Sequence, residues 1–232
     1  MQPNTKARIA GLGYAVSIVG GAFNEIFVRG RLIVASDPTA TASNILAHEQ
    51  LFRLGLASAI VTLLGDTVVA VMFYDLLRPV SRTLSLLAAA ARFIFVAIMA
   101  VNAINYYAPL VLLKFDGEQF RQLTVASQRL YNGGFHIANV FFGLHCAVVG
   151  WLIWKSNFLP KFLAAFGICG LGYIAHSFLR FVAPATAPLF APYFLWTGFV
   201  LELMLTVWLL VAGIDGERWN RQALAVASPQ PA

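Results

Sequence analysis

The chain repeatedly does what a water-soluble fold cannot: it runs for twenty or more residues with almost no charge. The clearest case lies between Asn132 and Val182, where two apolar segments, GGFHIANVFFGLHCAVVGWLIW and LPKFLAAFGICGLGYIAHSFLRFV, are joined by the short link Lys155-Ser156-Asn157. Each has at least the ~20 mostly apolar residues that a helix needs to cross a hydrocarbon core. Only 11% of the 232 residues are charged and 59% are hydrophobic, against about 25% charged in a soluble domain. So few charges cannot cover a globular surface. The sequence therefore specifies an all-α, polytopic membrane protein.

Taken in order, the segments give six spans. Helix one covers about Arg8 to Val28, too long for a signal peptide and ending in Glu25 and Arg29, so it is expected to be retained. Ser36-Asp37-Pro38 then reads as a helix start, a capping Asp followed by Pro at the first helical position. That helix is short, polar on one side and expected to lie in the interface. Helix two runs about Leu54 to Leu77 and ends at the tight basic turn Arg78–Arg82, and helix three covers about Leu84 to Tyr107. A second long connection repeats the pattern, with Asp116 as the expected cap of a second interfacial helix. Helices four and five form the hairpin above. The linker 183–192 holds Pro184, Pro188 and Pro192, so it cannot be helical throughout. Helix six follows at about Tyr193 to Ala212. The division expected is a six-helix transmembrane domain over 1–213 and a disordered cytoplasmic tail over 214–232.

The two long connections resemble each other. At an offset of seventy-nine positions Asp37 meets Asp116, Ala47 meets Ala126, Leu51 meets Leu130, Phe52 meets Tyr131 and Gly55 meets Gly134. Helices one–two and three–four thus read as related units. An even number of spans puts both termini on one side, together with the short turns that hold Arg78, Arg82, Lys155 and Lys161. Short-loop cations weigh most in orientation, so that side is expected to be the cytoplasm of a bacterial inner membrane. The net charge of +6 is accounted for by these span-end cations, which touch anionic lipid, and no nucleic acid is implied.

The runs ARIAGLGYAVSIVGGAFNEIFVRGRLIV, ATASNILAHEQLFRLG and YDLLRPVSRTLSLLAAAAR, with GWLIWKSNFLPKFLAAFGI and FVLELMLTVWLLVAGI, resemble the bacterial membrane proteins grouped as domain of unknown function 4386. The likeness covers nearly the whole chain. It implies a six-helix integral membrane protein and supplies no activity, substrate or catalytic residue.

Polar side chains at membrane depth are costly and tend to turn inward and pair. Asp66 lies fourteen residues before Val80 and Arg92 twelve after it, so the two share a depth on adjacent helices. They are expected to form an intramembrane ion pair, with a proton or ion relay as the functional alternative. Nearer the outer side, Glu25, Asn102, Asn105, His136, Asn139, His176 and Arg180, with Glu202 deeper, come from five helices. They are expected to line one polar pocket. His145, nine residues from His136, falls on nearly the opposite helix face. The chain shows no nucleotide-binding glycine pattern, no Lys inside a span for a Schiff base and no GxSxG elbow.

Three readings follow. The first is a protein that binds, senses or passes a small or lipid-like ligand through the outer pocket, with no cofactor and with membrane lipids or a second copy of the chain as partners. The second is a metal-dependent hydrolase or haem protein, with His136, His176 and Glu202 as ligands for zinc or haem iron. The third is a structural subunit whose small-residue face, Gly167, Gly170 and Gly172, meets a partner.

Overall fold

The computed structural model describes residues 1–227. Six helices are long and apolar enough to cross a membrane. They are α1 (Pro3–Leu32), α3 (Glu49–Leu77), α4 (Arg82–Leu112), α5 (Glu118–Lys155), α6 (Lys161–Val182) and α7 (Ala187–Val211). Two shorter helices complete the chain, α2 (Pro38–Ala47) and α8 (Gly216–Ala227). The protein is a multi-pass, all-helical membrane protein, and no strand occurs among the described residues.

Local signals explain most of the boundaries. Asp37 caps α2 by accepting from the Ala40 amide at 2.9 Å, and Pro38 opens the helix, as its sequence requires. Ser81 caps α4 through the Leu84 amide at 3.3 Å. Thr41 is buried and ties α2 back to the end of α1 through Val34, donating to its carbonyl and accepting from its amide, each at 2.9 Å. Within α1 the segment Phe23–Arg29 is π-helical, a rare form that concentrates at functional positions.

Three boundaries differ from the sequence reading. Asp116 does not cap a separate helix: the cap position belongs to Gly117, at φ 128°, and α5 then runs unbroken for 38 residues. At ~1.5 Å per residue this is ~57 Å, nearly twice the ~30 Å hydrocarbon core. No proline interrupts it, and the part expected to lie in the interface instead packs inward through Thr124, Val125, Gln128 and Tyr131. Second, α7 begins at Ala187, with Pro188 at its start and Pro192 inside its opening turns, where few backbone bonds are lost. Third, the tail expected to be disordered forms α8 over Gly216–Ala227. Trp219 is buried there and donates to the Leu76 carbonyl at 2.8 Å. Residues 228–232 of that tail lie outside the described residues.

The start of α1 and the residues after α7 gather at one end of the bundle. The Ile214 amide donates to Asn4 at 2.8 Å, the Asp215 amide to the Phe158 carbonyl at 3.1 Å, and Lys6 pairs with Asp75. We call this the proximal end, and the end carrying α2 the distal end. The spans α1, α3, α4 and α5 surround the middle of the structure, and α6 and α7 pack on one side. Close helix approach depends on small residues facing one another. A Cβ at Gly143 would lie 2.6 Å from the Gly170 carbonyl oxygen, and Gly167 sits against Gly150. The small-residue face of α6 is therefore occupied within this chain: Gly167 and Gly170 meet α5, and Gly172 meets Phe194 of α7. Accordingly, Gly143→Leu should destabilise the protein by about 1–3 kcal/mol through overpacking. Gly133→Ala, with nothing within 4 Å, should be neutral or slightly stabilising. Equilibrium unfolding in mixed micelles checks both.

Candidate functional site

The deepest polar group is the one that equal helix depth predicts. Arg92, on α4 and 1% exposed, donates through Nη2 to Asp66 Oδ1 on α3 at 2.6 Å. The pair has further partners. Ser17 of α1 donates to the same Asp66 oxygen at 2.6 Å, and Arg92 Nη1 donates to the Tyr14 hydroxyl at 3.1 Å. That hydroxyl lies 3.4 Å from His145 Nε2, and His145 Nδ1 lies 2.9 Å from the Ala88 carbonyl. Because a carbonyl only accepts, Nδ1 carries the proton and Nε2 accepts from Tyr14. The rings of Tyr14 and Phe142 lie 4.8 Å and 4.5 Å from the guanidinium carbon. Side chains from α1, α3, α4 and α5 thus converge on one buried cation.

The sequence reading had Asp66 and Arg92 and set His145 on the face away from His136 without giving it a partner; it did not include Ser17 or Tyr14. The repeat held the signal for Tyr14 and His145. The offset of seventy-nine that matches Gly55 with Gly134 also matches Asp66 with His145, and an offset of seventy-eight matches Tyr14 with Arg92. Corresponding positions of the two units meet at the centre.

The residues expected to share one pocket fall into two neighbourhoods. Glu25, Asn102 and Asn105 belong to the first, between α1, α4 and α5, organised by Arg29. Arg29 is buried and donates to Gln128 at 2.6 Å and Asn132 at 2.5 Å. Its Nε lies 3.1 Å from Glu25 in an ionic contact that is not aligned as a hydrogen bond. The Tyr131 ring stacks 4.3 Å from its guanidinium carbon. Gln128 donates onward to the Asn105 carbonyl at 3.0 Å, Asn105 to Asn102 at 2.9 Å, and Asn102 to the Tyr131 carbonyl at 2.8 Å. Gln128 and Asn132 were not singled out from sequence, because the expected break before Asn132 hid that they sit one turn apart on a single helix.

His136, His176 and Arg180 form the second neighbourhood, on α5 and α6. The two imidazoles meet edge to face with centroids 5.4 Å apart, and the Nδ1 of each is buried without a partner. Glu202 does not join them. It accepts from Tyr173, nearly one helical turn deeper than His176. Among the described residues no three His, Cys, Asp or Glu side chains are placed to hold a metal ion. The residues His136, His176 and Glu202 are therefore not gathered into one group of three here, and the two imidazoles contact each other directly. Asn139 is buried, and its side chain makes no hydrogen bond among the described residues.

Between the central network and the Arg29 cluster lies a cavity of about 110 Å³. Asp66 closes its proximal end, and Asn24 and Glu25 stand at its distal end. Its walls are chiefly Leu63, Phe95, Met99 and Phe135. Along α3 it extends from Ala59 to Asp66, two turns or ~10 Å. Both hydrogen bonds to Asp66 fall on Oδ1, and its Oδ2 has no hydrogen-bond partner among the described residues.

Residues 9–213 match the family described as Domain of unknown function (DUF4386), and the chain belongs to that family. It is also 29% identical over 171 residues to an uncharacterized protein of Archaeoglobus fulgidus, a match covering 70% of this chain and 90% of the relative. No solved structure matches. The geometry makes one ranking firm. Arg29→Met removes two charge-assisted bonds and leaves the buried Gln128 oxygen without a donor, so it should cost about 2–3 kcal/mol. Glu25→Gln, at a side chain 63% exposed, should cost less than about 1 kcal/mol. Unfolding free energies of the two variants, measured side by side, check the order.

Proposed function

Taking this family as the premise, we propose that the protein is a membrane receptor for a small, mainly apolar molecule carrying one hydrogen-bond donor. The molecule enters from the distal side, between α1, α3, α4 and α5, and its donor meets Asp66 Oδ2. The cavity between Asp66 and Glu25 is the observation that carries this reading. Its volume of about 110 Å³ is below the several hundred typical of drug-sized sites, so the occupant has few heavy atoms. It is below the ~150 Å³ of an engineered cavity that holds benzene, and side chains such as Met99 would adjust around an aromatic ring.

Binding is better supported than passage. Below Asp66 the route is closed by Arg92, Tyr14 and His145, and then by the buried Phe73 and Phe166. Occupancy would instead be felt by the network around Asp66, whose members, Asp66 included, come from four spans. The short-loop cations favour a cytoplasmic position for both termini, and on that orientation the ligand comes from the opposite side of the membrane. In a bacterial inner membrane that is the periplasmic face.

The test uses phenol, an aromatic ring with one donor, and benzene, the same ring without it. Saturation-transfer NMR on the detergent-purified full chain should show phenol bound. Ala103→Phe, which fills the cavity from α4, should weaken it at least tenfold while the melting temperature is held. Benzene should bind more weakly than phenol wherever Asp66 is intact. Equal phenol signals from wild type and Ala103→Phe would remove the proposal.

A further inference from the structure

The second neighbourhood, on different helices, points to a different ligand. Arg180 is exposed near the distal end of α6 and makes no hydrogen bond or ion pair among the described residues. It follows His176 by four residues on α6, and His176 meets His136 edge to face. His176, one turn before Arg180, is 4% exposed. The Nδ1 atoms of His136 and His176 are buried polar groups without partners, and such groups call for a water, an ion or a ligand. Glu202 is held by Tyr173, and none of Arg180, His136 and His176 pairs with a carboxylate among the described residues. The cluster is thus positive and has no counter-charge of its own.

An apolar groove begins beside it. About 400 Å³ of space lies between α6 and α7, walled by Ile168, Gly172 and Ala175 on one side and by Phe194 and Thr197 on the other. Phe194 joins groove to cluster, since its ring also lies 5.7 Å from His176. From Arg180 to Ile168 is twelve residues along α6, or ~18 Å. That is slightly more than half of a ~30 Å hydrocarbon core, the depth of one leaflet. Arg180 itself stands nineteen residues from Lys161, ~28 Å away, which puts it at the membrane surface. A cation at headgroup level above a chain-length apolar groove is complementary to one lipid molecule.

We propose that α6 and α7 form a binding site for an anionic phospholipid of the distal leaflet. Arg180 and the His136–His176 pair hold the phosphodiester, and one acyl chain lies in the groove. The full chain, delipidated in dodecyl maltoside, is titrated with dioleoylphosphatidylglycerol, dioleoylphosphatidylcholine or inorganic phosphate, and adducts are read by native mass spectrometry. One phosphatidylglycerol per chain is expected, with phosphatidylcholine weaker and no phosphate adduct. Arg180→Gln, at an exposed position, should weaken phosphatidylglycerol about fivefold, as for one cation facing anionic lipid. Ala175→Phe, also exposed, should weaken both lipids by obstructing the groove. Unchanged phosphatidylglycerol affinity in Arg180→Gln would overturn the site and leave Arg180 as a cation on the C-terminal carbonyls of α6. Unchanged affinity in Ala175→Phe would overturn the acyl-chain assignment, and phosphate binding as well as phosphatidylglycerol would assign the cluster to a free anion.

Discussion

A guanidinium held at the centre of an apolar bundle is the constraint around which this protein is built. An unpaired charge there would be prohibitive, and even a paired one recovers its desolvation only with good geometry and additional hydrogen bonds. Arg92 has both. It meets Asp66 from α3 and Tyr14 from α1, with Tyr14 and Phe142 rings against its face. His145 of α5 closes the circuit through Tyr14. Each member has its partner only when the four helices are in one register. The network therefore contributes specificity of arrangement as much as stability.

The same centre divides the distal half. Above Asp66 the four central helices leave a cavity that ends at the Arg29 cluster. Arg29 spans from α1 to α5 in the way that Arg92 ties α4 to α3 and α1. On the other side of α5, the glycine contacts that bring α6 close also place His136 against His176. One helix, α5, thus carries residues for both neighbourhoods, Gln128 and Asn132 towards Arg29 and His136 towards α6. Polar groups that appear in sequence as one set at one depth are separated by the thickness of that helix.

Much of the fold was legible in the sequence because the membrane imposes length. The six spans follow from apolar runs, the α2 start from Asp37-Pro38, and the Asp66–Arg92 pair from equal counts around a tight turn. Depth can be counted along a chain, but azimuth around a helix cannot be fixed when most faces are apolar. That is why Glu25 and His136 were placed together, and why Glu202 was offered as a ligand though Tyr173 holds it. The unbroken α5 was missed because Asn132-Gly133-Gly134 reads as a stop, whereas packing against α2 and α4 carries the helix through it. The α8 helix was missed because its polar composition obscured a single anchoring residue, Trp219.

The central claim is that Arg92 and Asp66 are energetically one unit. A double-mutant cycle over Asp66→Leu, Arg92→Met and the combined variant, read as unfolding free energy in mixed micelles, tests it most directly. Each single change strands a buried partner and should cost about 3–5 kcal/mol, while the combined change should cost clearly less than their sum. Strict additivity would contradict the account, because the two charges would then be contributing to stability independently.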